Sequence, residues 1–210
     1  MSACAHAVSH SFASTSADET RALARSLAPL LIADDVVLLA GDLGAGKTQF
    51  VKGLAEGLGV TAPVTSPTFN ILLTYEGGRL PLFHFDLYRL ESPDELIDID
   101  YFGTLESGGA SVVEWGDRFA EAVLPDEDRP DEIAPASRNP FAKAAPSGGI
   151  LVEMGITGDH QRSINVFSIG SRGEALASNW ARAWERVASG SDAKTPGGCD
   201  CPSAARIDAQ

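Results

Sequence analysis

Apolar positions along this chain follow two rhythms. From Ser16 onward, Leu23, Leu27, Leu30 and Leu31 recur at helical spacing behind a Ser16 N-cap with Glu19 three residues later, which predicts an amphipathic helix. After Asp34 and Asp35 the rhythm gives way to an unbroken apolar run, Val36 to Ala40, which predicts a buried strand. A helical pattern returns over Lys47 to Leu58. Two β-prone runs, Asn70 to Tyr75 and Leu80 to Phe85, flank EGGR and predict a hairpin with a glycine turn. Ser92, Pro93, Asp94 and Glu95 open a helix expected to finish near Asp100, and Ser111 to Trp115 reads as another buried strand. ILVEMGI and INVFSIG, around the polar stretch TGDHQRS, predict a second hairpin, followed by a helix from Glu174 to Ala188.

Three stretches carry neither rhythm. Residues 1–15 and 189–210 read as disordered tails, and the Pro-, Asp- and Ala-rich segment at about 125–149 reads as a flexible insertion in a single domain spanning 16–188. The segment APVTSPTFN, with its two prolines, is expected to be a loop crossing the surface.

Between the Val36 strand and the Lys47 helix stands GDLGAGKT: Gly41, Asp42, Leu43, Gly44, Ala45, Gly46, Lys47 and Thr48. This satisfies G-x-x-x-x-G-K-[ST] in the strand, loop, helix context the motif requires. Glycines let backbone N–H groups approach phosphate oxygens while the helix aims its positive end at them. Lys47 is expected to reach the β and γ phosphates of ATP, and Thr48 to offer its hydroxyl to Mg2+. The expected fold is therefore α/β, a P-loop NTPase-like three-layer fold with a mixed sheet containing hairpins.

Such a loop needs a carboxylate on a neighbouring strand to hold Mg2+ or its waters. Glu114 ends one predicted strand and Asp86 another, at the sheet edge where ligands of open α/β folds collect. Asp86 could equally orient an attacking water or cap a turn. His84 reads as a packed core histidine rather than a general base. Thr68, within Ser66-Pro67-Thr68, is a candidate γ-phosphate sensor, although Ser-Pro-Thr is also ordinary turn chemistry. Trp115 could stack on a ligand or pack half-buried.

Composition narrows the class. With 44% hydrophobic residues a real core is possible, and no run approaches the ~18 unbroken apolar residues of a membrane span. The first fifteen residues lack a basic start and apolar block, so the expected location is cytoplasmic. Cys4, Cys199 and Cys201 all fall in the tails and suit neither a disulfide framework nor a four-ligand zinc site. A net charge of −13 argues against a broad electrostatic grip on nucleic acid.

GDLGAGKT, SPTF, HFDLYRL, the PDEL helix start and VVEW, in this order and spacing, resemble the TsaE (formerly YjeE) family of small bacterial ATPases. The resemblance covers roughly Ser16 to Leu124, and the closing hairpin more loosely. It implies a weak, partner-stimulated ATPase needed to make threonylcarbamoyladenosine in tRNAs reading codons that begin with A. It also implies action with TsaD and TsaB, resetting that complex between turnovers, with tRNA met only through the complex. By the same resemblance Lys47 serves phosphate, Thr48 and Glu114 serve Mg2+, Asp86 serves hydrolysis, Thr68 sits in a switch-like segment, and Arg162 approaches the nucleotide, while the strand-end position of Asp86 also offers it to the metal. Two further readings compete. One is a small-molecule kinase of nucleoside or nucleotide type with Asp86 as base and Arg89 near the acceptor. The other is a nucleotide-gated binding module whose hydrolysis is incidental.

Overall fold

The computed structural model describes residues 9–119 and 148–190. The three cysteines, the greater part of the expected insertion and nearly all of the C-terminal tail lie outside the described residues. Seven strands form one mixed sheet in the order β1-β7-β6-β2-β5-β4-β3. They are β1 (His10–Ser14), β2 (Val36–Ala40), β3 (Leu72–Tyr75), β4 (Leu82–Asp86), β5 (Ala110–Glu114), β6 (Gly149–Ile156) and β7 (Arg162–Ile169). The central four, β6, β2, β5 and β4, run parallel, and antiparallel hairpin partners flank them on both sides. This is the predicted mixed sheet with its two hairpins.

Helices lie on both faces. On one face α1 (Ala17–Leu27), α2 (Lys47–Leu58) and α5 (Gly170–Ala188) pack over Val37, Leu39, Val112, Val152 and Val166. On the other, two short helices, α3 (Glu95–Asp98) and α4 (Tyr101–Leu105), cover Leu38, Phe83, Phe85 and Val113. Alternation along each strand makes this division: with a period of two, odd and even positions serve different layers. β2, β4 and β5 are buried at every position, because both of their faces are covered.

Close packing of α1 on α2 depends on two glycines. A Cβ at Gly53 would lie 2.2 Å from the Arg21 carbonyl oxygen, and one at Gly57 would lie 2.5 Å from the Ala28 Cβ. Each helix-interior glycine costs about 1 kcal/mol in propensity, offset here by the contact it permits. The α1 start is as predicted: Ser16 Oγ accepts from the Glu19 N–H at 3.1 Å. Glu19 reaches one residue beyond the usual capping box, accepting from the Thr15 N–H and hydroxyl, both at 2.7 Å. These bonds hold its carboxyl below the usual glutamate range.

Several expectations change. Residues 10–14, assigned to a disordered tail, form β1 and pair with β7 from His10↔Val166 to Ser14↔Arg162. HSFAS has one large apolar residue and so shows little pattern. Phe12 finds its partner in Trp180 on α5, ring centroids 5.0 Å apart, a contact separated by most of the chain. The helix expected from Ser92 to Asp100 is the short α3, and a second short helix that was not expected, α4, follows it. Asp100 takes a left-handed φ of 49°, which interrupts α3 before α4 begins. The final helix also begins earlier than predicted, at Gly170, and β6 starts at Gly149.

Candidate functional site

The site grows from the end of β2. A strand buried on both faces leaves the sheet as a tight loop, and Gly41, Gly44 and Gly46 adopt φ of 132°, 83° and 105°, regions that L side chains rarely enter. A Cβ on Gly41 would also lie 2.2 Å from the Met154 carbonyl oxygen. Gly46 is the N-cap of α2 and carries no side-chain cap, so the helix opens on uncapped backbone N–H groups. Asp42 and Gly44 are exposed, Ala45 is buried, and Leu43 stands at the loop tip 82% exposed.

Lys47, the first residue of α2, turns back across the loop. Its Nζ donates to the carbonyl oxygens of Gly41 at 2.6 Å and Asp42 at 3.1 Å, and lies 3.7 Å from the centre of the Trp115 ring. Desolvation pulls its pKa below the ordinary lysine value, against the attraction of Glu114, Asp117, Asp86 and Asp42. Trp115 is half-buried, holds a left-handed φ of 61° and stacks on Tyr88 at 5.0 Å. It therefore faces the lysine of the site and an aromatic neighbour together.

Both predicted carboxylates converge here. Asp86 and Glu114 end adjacent parallel strands and are register partners. Both are almost wholly buried, at 2% and 3% exposure. Thr48 Oγ1 donates to the Glu114 carboxylate, lying 2.9 Å from Oε1 and 3.1 Å from Oε2. Asp86 Oδ2 accepts from Ser66 Oγ at 2.9 Å and Thr68 Oγ1 at 2.5 Å, while Oδ1 accepts from the Tyr88 N–H at 3.1 Å. Thr68 thus meets Asp86, the loop that bears it being pinned at one end by a left-handed Ile71, φ 65°, whose carbonyl accepts from the Asp86 N–H. For a β-branched residue that conformation is strained.

Arg162, first residue of β7, reaches the back of the loop. Its Nε donates to the Ala45 carbonyl at 3.0 Å and one terminal nitrogen to the Gly44 carbonyl at 3.1 Å. Its other terminal nitrogen donates to the carbonyls of Gly158 and Gln161 in its own turn. This ties the second hairpin to the glycine loop. A cleft of about 140 Å3 opens beside it, bounded by Gly44, Gly46, Gln49 and the α1 start on one side and by Asp159, His160 and Arg162 on the other.

The sequence reading missed Asp117, Gln49 and the Asp159–His160 turn, all brought in by loops whose course only the fold sets. Asp117, on the turn after Trp115, has its carboxyl pushed above the usual range, chiefly by desolvation, with Lys47 pulling the other way. His84 is a core histidine as expected, wholly buried, but its Nε2 lies 2.9 Å from Glu114 Oε1.

The donor set suits a nucleotide with a hard cation. Buried carboxylates and a hydroxyl line one end of a glycine loop at a helix N-terminus. Among the described residues no group of three or more His, Cys, Asp or Glu could hold a metal. Mg2+ commonly takes one or two carboxylates and completes its shell with phosphate oxygens and water, and the adjacent Glu114 and Asp86 offer that number.

A parallel-centred sheet with helices on both faces, and a glycine loop between its first central strand and the following helix, defines the P-loop NTPase-like class of α/β proteins. Residues 14–139 match the family model described as threonylcarbamoyl adenosine biosynthesis protein TsaE, and the chain belongs to that family. The tRNA threonylcarbamoyladenosine biosynthesis protein TsaE of Bacillus subtilis is 36% identical over 165 residues, covering 79% of this chain and 89% of that protein. Its counterpart from Treponema pallidum is 47% identical over 110 residues, covering 52% and 81%. The crystal structure of Bacillus subtilis YdiB superposes with a TM-score of 0.61 at 31% identity, covering 82% of this chain and 94% of that one.

Proposed function

We propose that this chain binds ATP with Mg2+ at the glycine loop and hydrolyses it as an accessory subunit in the biosynthesis of threonylcarbamoyladenosine on tRNAs reading codons that begin with A. Its action is with TsaD and TsaB, resetting their complex between turnovers, and its contact with tRNA is through that complex. Family membership and the names of its relatives support the pathway. The observation that carries the ATPase reading is the convergence of Lys47, Thr48, Glu114 and Asp86 from two helix and strand ends onto one loop mouth.

In this reading the backbone N–H groups of the Gly44 to Thr48 turn bind phosphate oxygens, and Lys47 leaves its two carbonyl partners to meet them. Mg2+ would be held by Thr48 and Glu114, with Asp86 beside them, and would offset the negative charge of the phosphates. Asp86, two-faced between Ser66 and Thr68, orients water once the loop hydroxyls release it. Arg162 keeps the loop in shape by holding its carbonyls, so that its N–H groups point the other way. Among the described residues no helix is long and apolar enough to cross a membrane.

The kinase alternative has weaker support. The Arg89 guanidinium, which that reading places near the acceptor, lies over the Phe69 ring, 5.2 Å from its centre. Reconstitution decides between the readings. With TsaD, TsaB, tRNA and the threonylcarbamoyl donor present, the intact chain is expected to sustain repeated modification, and Lys47→Ala is expected to end it along with nucleotide binding. Phosphorylation of an added nucleoside or nucleotide, detected by mass, would favour the kinase. Repeated turnover by a Glu114 variant that binds but does not cleave ATP would favour a binding module.

A further inference from the structure

His84 has no part in the reading above, yet it is the only wholly buried histidine among the described residues and its single hydrogen bond is to the Glu114 carboxylate. It lies on β4 between Phe83 and Phe85, opposite Val112 of β5 and Leu73 of β3. Its Nδ1 is buried without a hydrogen-bond partner. A carboxylate oxygen can only accept, so Nε2 carries a proton toward Glu114, while Nδ1 is left without a partner. As filler this ring is a poor choice: an apolar side chain of similar size would fill the same place without desolvating an orphaned nitrogen. What the imidazole adds is a rigid N–H aimed at Glu114 from inside the sheet.

We propose that His84 is a positioning residue, fixing the Glu114 carboxylate so that the Mg2+ site is formed before the cation arrives. This rests on the ATP and Mg2+ reading of the site. Glu114 has two side-chain partners, Thr48 on α2 and His84 on β4. Thr48 is itself a candidate metal ligand, and its oxygen cannot serve both the cation and the present arrangement unchanged. His84 is then the donor that remains, and it sits on a strand buried at every position. Partners of this kind around metal ligands typically set affinity by about 10–100-fold.

The test uses the full chain with a non-hydrolysable ATP analogue and titrates Mg2+, following binding by calorimetry, with nucleotide affinity in EDTA as the metal-free reference. His84→Leu removes the donor and is expected to raise the Mg2+ midpoint about 10–100-fold while leaving metal-free nucleotide affinity within about twofold. His84→Gln can return an N–H to the Nε2 position and is expected to restore most of the loss. His84→Asn, whose amide reaches only the Nδ1 position, is expected to resemble His84→Leu, so the Asn and Gln pair tests the idea even if the leucine variant does not fold. Equal midpoints for Asn, Gln and the unaltered chain would overturn it, as would a metal-free affinity that falls in step with the Mg2+ midpoint. If the unaltered chain showed no Mg2+-dependent nucleotide binding, the ATP reading itself would fall, and this inference with it.

Discussion

Glu114 and Asp86 stand side by side on parallel strands, equally buried, yet they are held by different kinds of structure. Glu114 is gripped by Thr48 from a helix and His84 from a strand. Asp86 is gripped by Ser66 and Thr68 from a loop whose own residues are largely exposed. Rigid elements fix a group in one geometry, whereas a loop can let go. On the proposed ATP and Mg2+ reading the pair would divide a constant duty from a conditional one, Glu114 serving a metal site that is always formed and Asp86 being released when the loop moves toward a ligand.

The largest expected effect comes from Glu114→Gln. It keeps the shape and the Thr48 contact while removing the charge, and is expected to cut hydrolysis about 10^3-fold and to abolish the Mg2+ dependence of nucleotide binding. Asp86→Asn should act later, lowering hydrolysis about 10^2-fold with Mg2+-dependent binding retained, as single-turnover rates beside calorimetry would show. If the two variants fell equally in both measurements, the division of duties would be wrong.

A smaller effect sharpens the loop side of the contrast. Removing both hydroxyls, Ser66→Ala with Thr68→Ala, frees Asp86 Oδ2 but leaves its Tyr88 contact and Glu114 untouched. Limited proteolysis within residues 61–70 should accelerate in the nucleotide-free protein, with hydrolysis changed by less than about tenfold. Unaltered cleavage would mean that these bonds do not restrain the loop.

The smallest effect belongs to a carboxylate outside the site. Glu19 is held below its usual range by its bonds to Thr15, so the stability it contributes is present above the ordinary glutamate value and is lost as pH falls through the lower, folded value. Because the group is exposed, Glu19→Gln is expected to lower the melting temperature at neutral pH by only about 1–2 °C. The difference between the two proteins should vanish in acid, and a difference that persisted there would assign the effect to something other than the ionised carboxyl.

Local regularity explains how much was legible in advance. The all-apolar run Val36 to Ala40, the glycine spacing of GDLGAGKT and the polar turn between two β-prone runs each carry their own physical instruction, and each produced the expected element. The strand-end positions of Asp86 and Glu114 could be read because a strand delivers its last side chain to the sheet edge wherever the strand lies. β1 was not legible, since five mostly small or polar residues have no preference strong enough to declare a strand until β7 supplies hydrogen bonds and Trp180 supplies a surface. Nor was α4, which begins behind a left-handed Asp100 that no apolar period reports.

By itself, then, the amino-acid sequence determined the glycine loop, the strands that feed it and the carboxylate and hydroxyl residues offered at its mouth, because these depend on spacing within a few turns of chain. The tertiary structure alone decided which groups meet: that His84 backs Glu114, that Thr68 closes on Asp86, that Arg162 braces the loop and that Lys47 rests on Trp115. Those contacts join residues between 18 and 118 positions apart. Only strand order and register bring such distant groups within hydrogen-bonding reach.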